Sequence, residues 1–105
     1  MTAVKTGSYV GTAAAISVEL GFVPDYIRVW NETDGDEAWE WFKGMAAASA
    51  LKSGNSASTQ FSKITSNGIT AYAGTVADKS AGVTFGSALS ESGKTFRYAA
   101  FRELD

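Results

Sequence analysis

The strongest constraint in this sequence is a hydrophobic period of two. It is clearest in the segment AISVEL, where Ile16, Val18 and Leu20 alternate with Ser17 and Glu19. Such alternation places apolar side chains on one face of a β-strand and polar side chains on the other. The segment is therefore predicted to be a strand with one buried face.

Residues 26–42 are predicted to form a β-hairpin. Its two strands are YIRVWN and EAWEWF, and the turn between them contains Asp34-Gly35. Asp-Gly favours a tight turn because glycine tolerates the positive φ that hairpin turns require. In the second strand Trp39 and Trp41 share one face, so both are predicted to be in the core or both exposed.

Five further segments are predicted to be strands: SYVGT, FSKIT, GITAYAG, GVTFGSAL and KTFRYAAFREL. Asn67-Gly68 is interpreted as a tight turn between FSKIT and GITAYAG. About eight short strands separated by turn signals are typical of an antiparallel all-β domain. The predicted fold is an antiparallel β-sandwich.

Two segments depart from this pattern. Residues 45–52 have helical propensity but are too few for more than a short helical turn. They lead into the small, polar run KSGNSASTQ, so one long polar loop is predicted within residues 44–60. The polar residues 1–7 are predicted to be a flexible N-terminal arm.

The composition narrows the class of protein. A chain of 105 residues is predicted to be a single domain, residues 1–105. With 45% hydrophobic and 19% charged residues it is globular rather than disordered. The net charge is −2 and the cations are scattered, which argues against nucleic-acid partners. No apolar run has the length of a transmembrane helix, and no apolar signal-peptide core is present, so no membrane partner and no conventional export are predicted.

The chain lacks the residues on which most catalytic chemistry depends. It contains no cysteine and no histidine, which excludes thiolate nucleophiles, common zinc sites and imidazole bases. Glu37 and Glu40 flank Trp39, but residues three apart in a strand point to opposite faces. They are not expected to form a glycosidase pair. No catalytic residue, cofactor or metal is predicted, and the protein is expected not to be an enzyme.

The acidic turn raises the question of calcium. Read as an EF-hand loop, NETDGDEAWEWF has its glycine in the fifth position, and Phe42 stands where the bidentate Glu belongs. The preferred interpretation is that Asp34 and Asp36 accept hydrogen bonds from turn amides at an exposed hairpin tip. Calcium binding is the alternative considered.

Four segments follow one another in a distinctive order: LGFVPDYIRVWN, WEWFKGM, ITSNGITAYAG and GKTFRYAAFR. This order resembles a β-sandwich found among tailed-phage virion proteins. The resemblance spans residues 20–102 and rests on Gly21, Phe22, Pro24, Asn31, Trp41, Asn67, Gly68, Gly93, Tyr98, Ala100 and Phe101. It implies a small free-standing virion component with no catalytic residues, such as a capsid decoration (cement) protein.

The resemblance sets expectations for partners. A decoration protein would bind the major capsid protein, stabilise its lattice and self-associate as a dimer or trimer on the virion. It would be made in the host cytoplasm and lie on the capsid surface. The alternative is a tail-fibre or receptor-binding module that recognises host glycans. A glycan-processing enzyme is disfavoured because the chain has no histidine.

Candidate interface residues follow from these expectations. They come from the predicted arm and the polar loop, both expected to be disordered in the free protein and ordered on binding, and from the tryptophan strand. The set is Thr2, Val4, Lys5, Trp39, Trp41, Lys52, Asn55 and Gln60.

Overall fold

The computed structural model describes residues 2–54, 61–74 and 81–103. In these ranges the chain forms eight β-strands and one short 3-10 turn, Ser87–Leu89, and no α-helix. The prediction of an all-β fold is confirmed. The strands are β1 (Thr2–Val10), β2 (Ile16–Glu19), β3 (Tyr26–Asn31), β4 (Glu37–Phe42), β5 (Ser49–Gly54), β6 (Phe61–Tyr72), β7 (Gly82–Phe85) and β8 (Thr95–Glu103).

All eight strands belong to one antiparallel sheet, in the order β1-β8-β3-β4-β5-β6-β7-β2. The predicted hairpin is confirmed, since Ile27 pairs with Trp41 and Val29 with Trp39 across β3 and β4. The described strands do not separate into the two sheets of a sandwich. Instead, the single sheet curls over its own core.

Tyr9 shows the curl most directly. It lies on β1, yet its ring stacks on Phe85 of β7 with 4.7 Å between centroids, and on Phe96 of β8 at 5.3 Å. Its hydroxyl donates to the carbonyl oxygen of Leu89 at 2.8 Å. Burial raises the pKa of Tyr9 well above its ordinary value, and the nearby Tyr98 adds to the effect. One end of the sheet is therefore fastened over the other by an aromatic stack and a hydrogen bond.

The core fills the concave side of the sheet, here called the inner face. Trp39 and Trp41 are 1% and 3% exposed, and Ile27, Val29 and Phe96 are fully buried. Large aromatic and branched side chains at alternate positions supply most of the apolar area that this small domain buries. The opposite, convex side is here called the outer face.

The predicted tight turn at Asn67-Gly68 is wrong, because FSKIT and GITAYAG form one strand, β6. A bulge interrupts its pairing with β5: Ala50 pairs with Ile64, but the adjacent Ser49 pairs with Ile69. Asn67 has φ 59°, so the pair supplies the positive φ of a bulge instead of a turn. Ile64 and Ile69 are an odd number of residues apart, and the bulge lets both face the core.

The predicted helical turn is also wrong. Residues 43–48 form turns, and Ser49–Gly54 is strand β5, paired with β4 and β6. Helical propensity over so few residues is a weak preference, and two neighbouring strands outweigh it by burying Ala50 completely. The rest of the predicted loop, residues 55–60, lies outside the described residues.

The prediction of a flexible N-terminal arm is wrong as well. Thr2–Val10 is a regular strand that pairs along its whole length with β8, for example Lys5 with Ala100. The polar character of residues 1–7 indicates a loose arm, but it does not exclude a strand. These residues suit a strand whose one face is exposed, and the backbone of β8 supplies the partner.

Candidate protein-binding face

The outer face holds the feature of the structure most in need of explanation. Every large hydrophobic side chain that is exposed in the described residues lies on it, according to strand register. Soluble monomers rarely leave extensive apolar patches exposed, and such patches mark interaction sites. These side chains are Val4, Val10, Trp30, Phe42, Leu51, Phe61 and Phe101.

An aromatic row crosses one end of this face. Direct cross-strand pairing places Val4, Phe101, Tyr26 and Phe42 side by side on β1, β8, β3 and β4. The ring of Tyr26 lies 4.8 Å from that of Phe42 and 5.8 Å from that of Phe101, between centroids. Neighbouring cross-strand aromatics stabilise a sheet even when exposed. The row is therefore an ordered apolar surface.

The centre of the outer face carries charged side chains that are paired with one another. Nη1 of Arg28 lies 3.6 Å from Oε2 of Glu40, and the guanidinium also lies over the ring of Trp30 at 5.3 Å. The hydroxyl of Tyr26 donates to Glu40. Burial, followed by this hydrogen bond, raises the pKa of Tyr26 above its ordinary value. Because the charges are matched within the face, burying it requires less compensation from a partner.

A groove of about 700 Å³ lies beside Trp30. Small residues such as Ala38, Ser53 and Ala99 line it together with Trp30 and Arg97. Arg97, directly opposite Trp30 across β8 and β3, forms an ion pair with Glu32. The groove therefore combines an exposed indole, a paired guanidinium and acidic groups from the β3–β4 turn.

The acidic turn itself is held by internal contacts. The buried Asn31 accepts from the Asp34 amide at 3.1 Å and donates to Oδ2 of Asp34 at 3.2 Å. Oδ1 of Asp34 accepts from Nζ of Lys94 at 3.1 Å. Both carboxylate oxygens of Asp34 are thus engaged by the protein. The described ranges contain no group of three acidic, His or Cys residues that could hold a metal ion.

The structure separates the two glutamates as the sequence analysis expected. Oε2 of Glu37 lies 2.9 Å from Nζ of Lys52, whereas Glu40 contacts Arg28 and Tyr26 on the outer face. Each carboxylate thus has a cationic partner of its own, and the two do not meet in one cleft.

The predicted interface residues have mixed outcomes. Trp39 and Trp41 are core residues, so their prediction as interface or glycan-contact residues is wrong: strand alternation turns both indoles inward. Val4 is exposed on the outer face, and Lys5 is exposed on the inner side of β1. Lys52 is engaged by Glu37. Thr2 begins β1, and Asn55 and Gln60 lie outside the described residues.

Sequence reasoning missed Phe42, Leu51, Phe61 and Phe101 as surface residues. A signal was present for Phe42, since the strand alternation that turns Trp39 and Trp41 inward turns Phe42 outward. For Leu51 the signal was hidden, because residues 45–52 were predicted to be a helical turn. Phe61 opens the predicted strand FSKIT, but its outward orientation depends on pairing with β5. Phe61 is 75% exposed at the start of β6.

Comparison of the chain with protein-family models, with curated proteins and with solved structures gives no match. In the ranges that the structure describes, no helix has the length and apolarity needed to cross a bilayer. The outer face and the groove are therefore the two features from which a function can be inferred.

Proposed function

We propose that this protein is a non-enzymatic structural module that binds other proteins through its outer face. The observation that carries the proposal is the segregation of the exposed large hydrophobics onto that one face. Aromatic residues and arginine are enriched at the centres of protein interfaces, and here Tyr26, Arg28 and Trp30 lie together on β3. A sheet surface of this kind offers a rigid, pre-formed interface.

For the partner we propose the major capsid protein of a tailed phage, with the protein acting as a capsid decoration protein. The support is the resemblance to phage virion proteins, together with a broad, convex apolar face suited to a regular protein lattice. In this role the protein is made in the host cytoplasm and resides on the capsid surface. Binding would bury the aromatic row and so stabilise the capsid by linkage.

Co-sedimentation with capsids that lack the protein tests this function. Wild-type protein is expected to bind saturably and to raise the temperature at which the capsids open. The double variant Phe42→Ser, Phe101→Ser is expected to lose binding, because it removes two rings of the aromatic row. Glu91→Ser, at an exposed loop position outside the strands, is the control and is expected to bind like wild type. Binding by the double variant at wild-type affinity would contradict the proposal.

A second candidate function is glycan recognition by a tail-fibre or receptor-binding module, and the groove beside Trp30 favours it. An exposed indole next to carboxylates and a guanidinium offers a stacking surface and hydrogen-bond partners for a sugar. This function would use Trp30, since Trp39 and Trp41 are buried.

Binding to purified host-surface polysaccharide separates the two functions. Glycan recognition predicts saturable binding that Trp30→Ala abolishes and Trp30→Phe weakens only partly, because phenylalanine keeps an aromatic face. If the protein binds capsids but not polysaccharide, only the decoration function remains.

A further inference from the structure

The two edge strands of the sheet, β1 and β2, differ in how readily they could pair with a further strand. β2 has four residues, whereas β1 has nine and pairs with only one neighbour, β8, in the described part of the chain. Natural edge strands are commonly short, or blocked by proline, bulges or charges. β1 is long and regular, contains no proline, and carries one charged residue, Lys5.

The hydrogen bonds identify which backbone groups of β1 face the open edge. Just beyond β1, Gly11 donates to the carbonyl oxygen of Lys94 at 2.9 Å. In an antiparallel ladder, residues bond alternately to one side and the other. The odd-numbered residues of β1 therefore bond to β8. Val4, Thr6, Ser8 and Val10 direct their N–H and C=O groups outward.

We propose that β1 pairs antiparallel with β1 of a second copy of this chain, about a two-fold axis at Gly7. In this register Val4 lies opposite Val10 of the second copy, and Thr6 lies opposite Ser8. The outward N–H and C=O groups of these four residues then bond in reciprocal pairs. Such a contact is isologous, so it closes on itself as a dimer.

Side-chain chemistry selects this register. Val4 and Val10 are 55% and 56% exposed on the same outer face, and a cross-strand pair would cover both. An axis at Lys5 would place two ammonium groups directly opposite each other, and an axis at Thr6 would place Val4 opposite Ser8. With the axis at Gly7, Lys5 lies opposite Tyr9 of the second copy, and the two lysines are about 13 Å apart along the strands.

Gly7 suits the axis because it carries no side chain on the inner side. A Cβ at this position would lie 2.4 Å from the hydroxyl oxygen of Tyr98, so Tyr98 packs directly over the glycine. In the dimer both outer faces lie on the same side of a continuous sheet. This joins two apolar surfaces into one, but the pairing itself does not depend on what the outer face binds.

Sedimentation velocity over a dilution series tests the edge. Thr6→Pro removes one outward N–H without removing a bond to β8, and edge strands tolerate proline. We expect wild type and Thr6→Val, which keeps the N–H, to form dimers, and Thr6→Pro to dissociate at least tenfold more readily. Circular dichroism of Thr6→Pro checks that the strands are retained. A wild type that is monomeric at every concentration would overturn the proposal.

Single cysteines test the register, and the cysteine-free chain makes every disulfide intermolecular. A mixture of Val4→Cys and Val10→Cys proteins is expected to cross-link into a mixed dimer, since paired Cα atoms lie about 5.5 Å apart. Val4→Cys alone should not cross-link, because its two copies would be about 20 Å apart. Cross-linking of Thr6→Cys with itself, or equal cross-linking of the mixture and of Val4→Cys alone, would contradict the axis at Gly7. This result is independent of capsid or glycan binding.

Discussion

The two faces of the β3–β4 hairpin carry similar residues but differ in burial. On the inner face Trp39 and Trp41 are almost completely buried, whereas on the outer face Trp30 and Phe42 are substantially exposed. Both faces are aromatic, so composition does not distinguish them. Strand alternation places the two sets on opposite faces, and the curl of the sheet makes one of those faces the core. In this protein, aromatic content marks the hairpin, and strand register decides which of its side chains share a face.

The largest expected difference between the faces is in stability. Trp39→Ala should lower the free energy of unfolding by about 3–5 kcal/mol, because it removes a fully buried ring. Trp30→Ala should lower it by less than about 1 kcal/mol. Urea denaturation followed by circular dichroism measures both.

Trp39→Phe is the matched control for this pair. The indole N–H of Trp39 is buried and has no acceptor among the described residues. Phenylalanine removes that unpaired donor while keeping an aromatic ring, so it should cost clearly less than alanine. Equal losses for Trp39→Ala and Trp30→Ala would mean that the two faces are not energetically distinct.

The bulge in β6 keeps both halves of that strand facing the core, and Gly68 is its tightest point. A Cβ there would lie 2.7 Å from the backbone of Ala48 and Ser49, so Gly68→Ala should cost about 2 kcal/mol. Gly35, with φ 69° and nothing within 4 Å, is the control. Gly35→Ala should cost about 1 kcal/mol from backbone strain alone. Thermal unfolding checks the order, and a Gly68→Ala protein as stable as wild type would contradict the bulge geometry.

Tyr9 links the two ends of the curled sheet on the inner side. Tyr9→Phe removes its hydrogen bond to Leu89 but keeps the stack on Phe85, so stability at neutral pH should fall by about 1 kcal/mol. The pKa of Tyr9 is raised by folding, so the native state retains its proton where the unfolded chain loses it. Wild-type stability should therefore fall as pH rises above about 10.

The pH dependence of stability can be tested with two tyrosine variants, one of which is a control. Tyr9→Phe should show a shallower alkaline decline than wild type, whereas Tyr72→Phe, on a tyrosine that takes no part in these aromatic contacts, should decline like wild type. Urea titrations at pH 8 to 11 provide the measurement. Identical alkaline slopes for wild type and Tyr9→Phe would argue against burial of the hydroxyl.

The smallest expected effect belongs to the outer face. Phe42→Ala removes a ring that contacts Tyr26 at the surface, so stability should fall by only about 0.5 kcal/mol. Acrylamide quenching of the same variant should be unchanged, since the buried tryptophans stay protected. A loss of more than about 2 kcal/mol would make the aromatic row part of the folding core instead of a binding surface.

Much of the fold was predictable from local pattern. The hairpin at residues 26–42 carried both period-two alternation and an Asp-Gly turn, and these two signals agree with its tertiary role. The total of eight strands was right, although two compensating errors produced it: β6 was divided in two and β5 was missed. Asn67-Gly68 misled because the backbone conformation that it favours serves bulges as well as turns.

The candidate site was less predictable. The sequence predicted that Trp39 and Trp41 share one face, but it left core and interface open for them, and the candidate interface set included both; the structure buries them. Val4 was identified for the wrong reason, as part of a loose arm. It is exposed because β1 is an edge strand with one face in solvent.

By itself, the sequence determined the β-class of the fold and which side chains of each strand share a face, because period-two alternation is a local property of the chain. It also excluded thiol and imidazole chemistry, since it contains neither cysteine nor histidine. Tertiary structure alone decided which of the two faces became the core. That choice depends on how a curled sheet brings Tyr9 onto Phe85, a contact between residues far apart in the chain that no local pattern encodes.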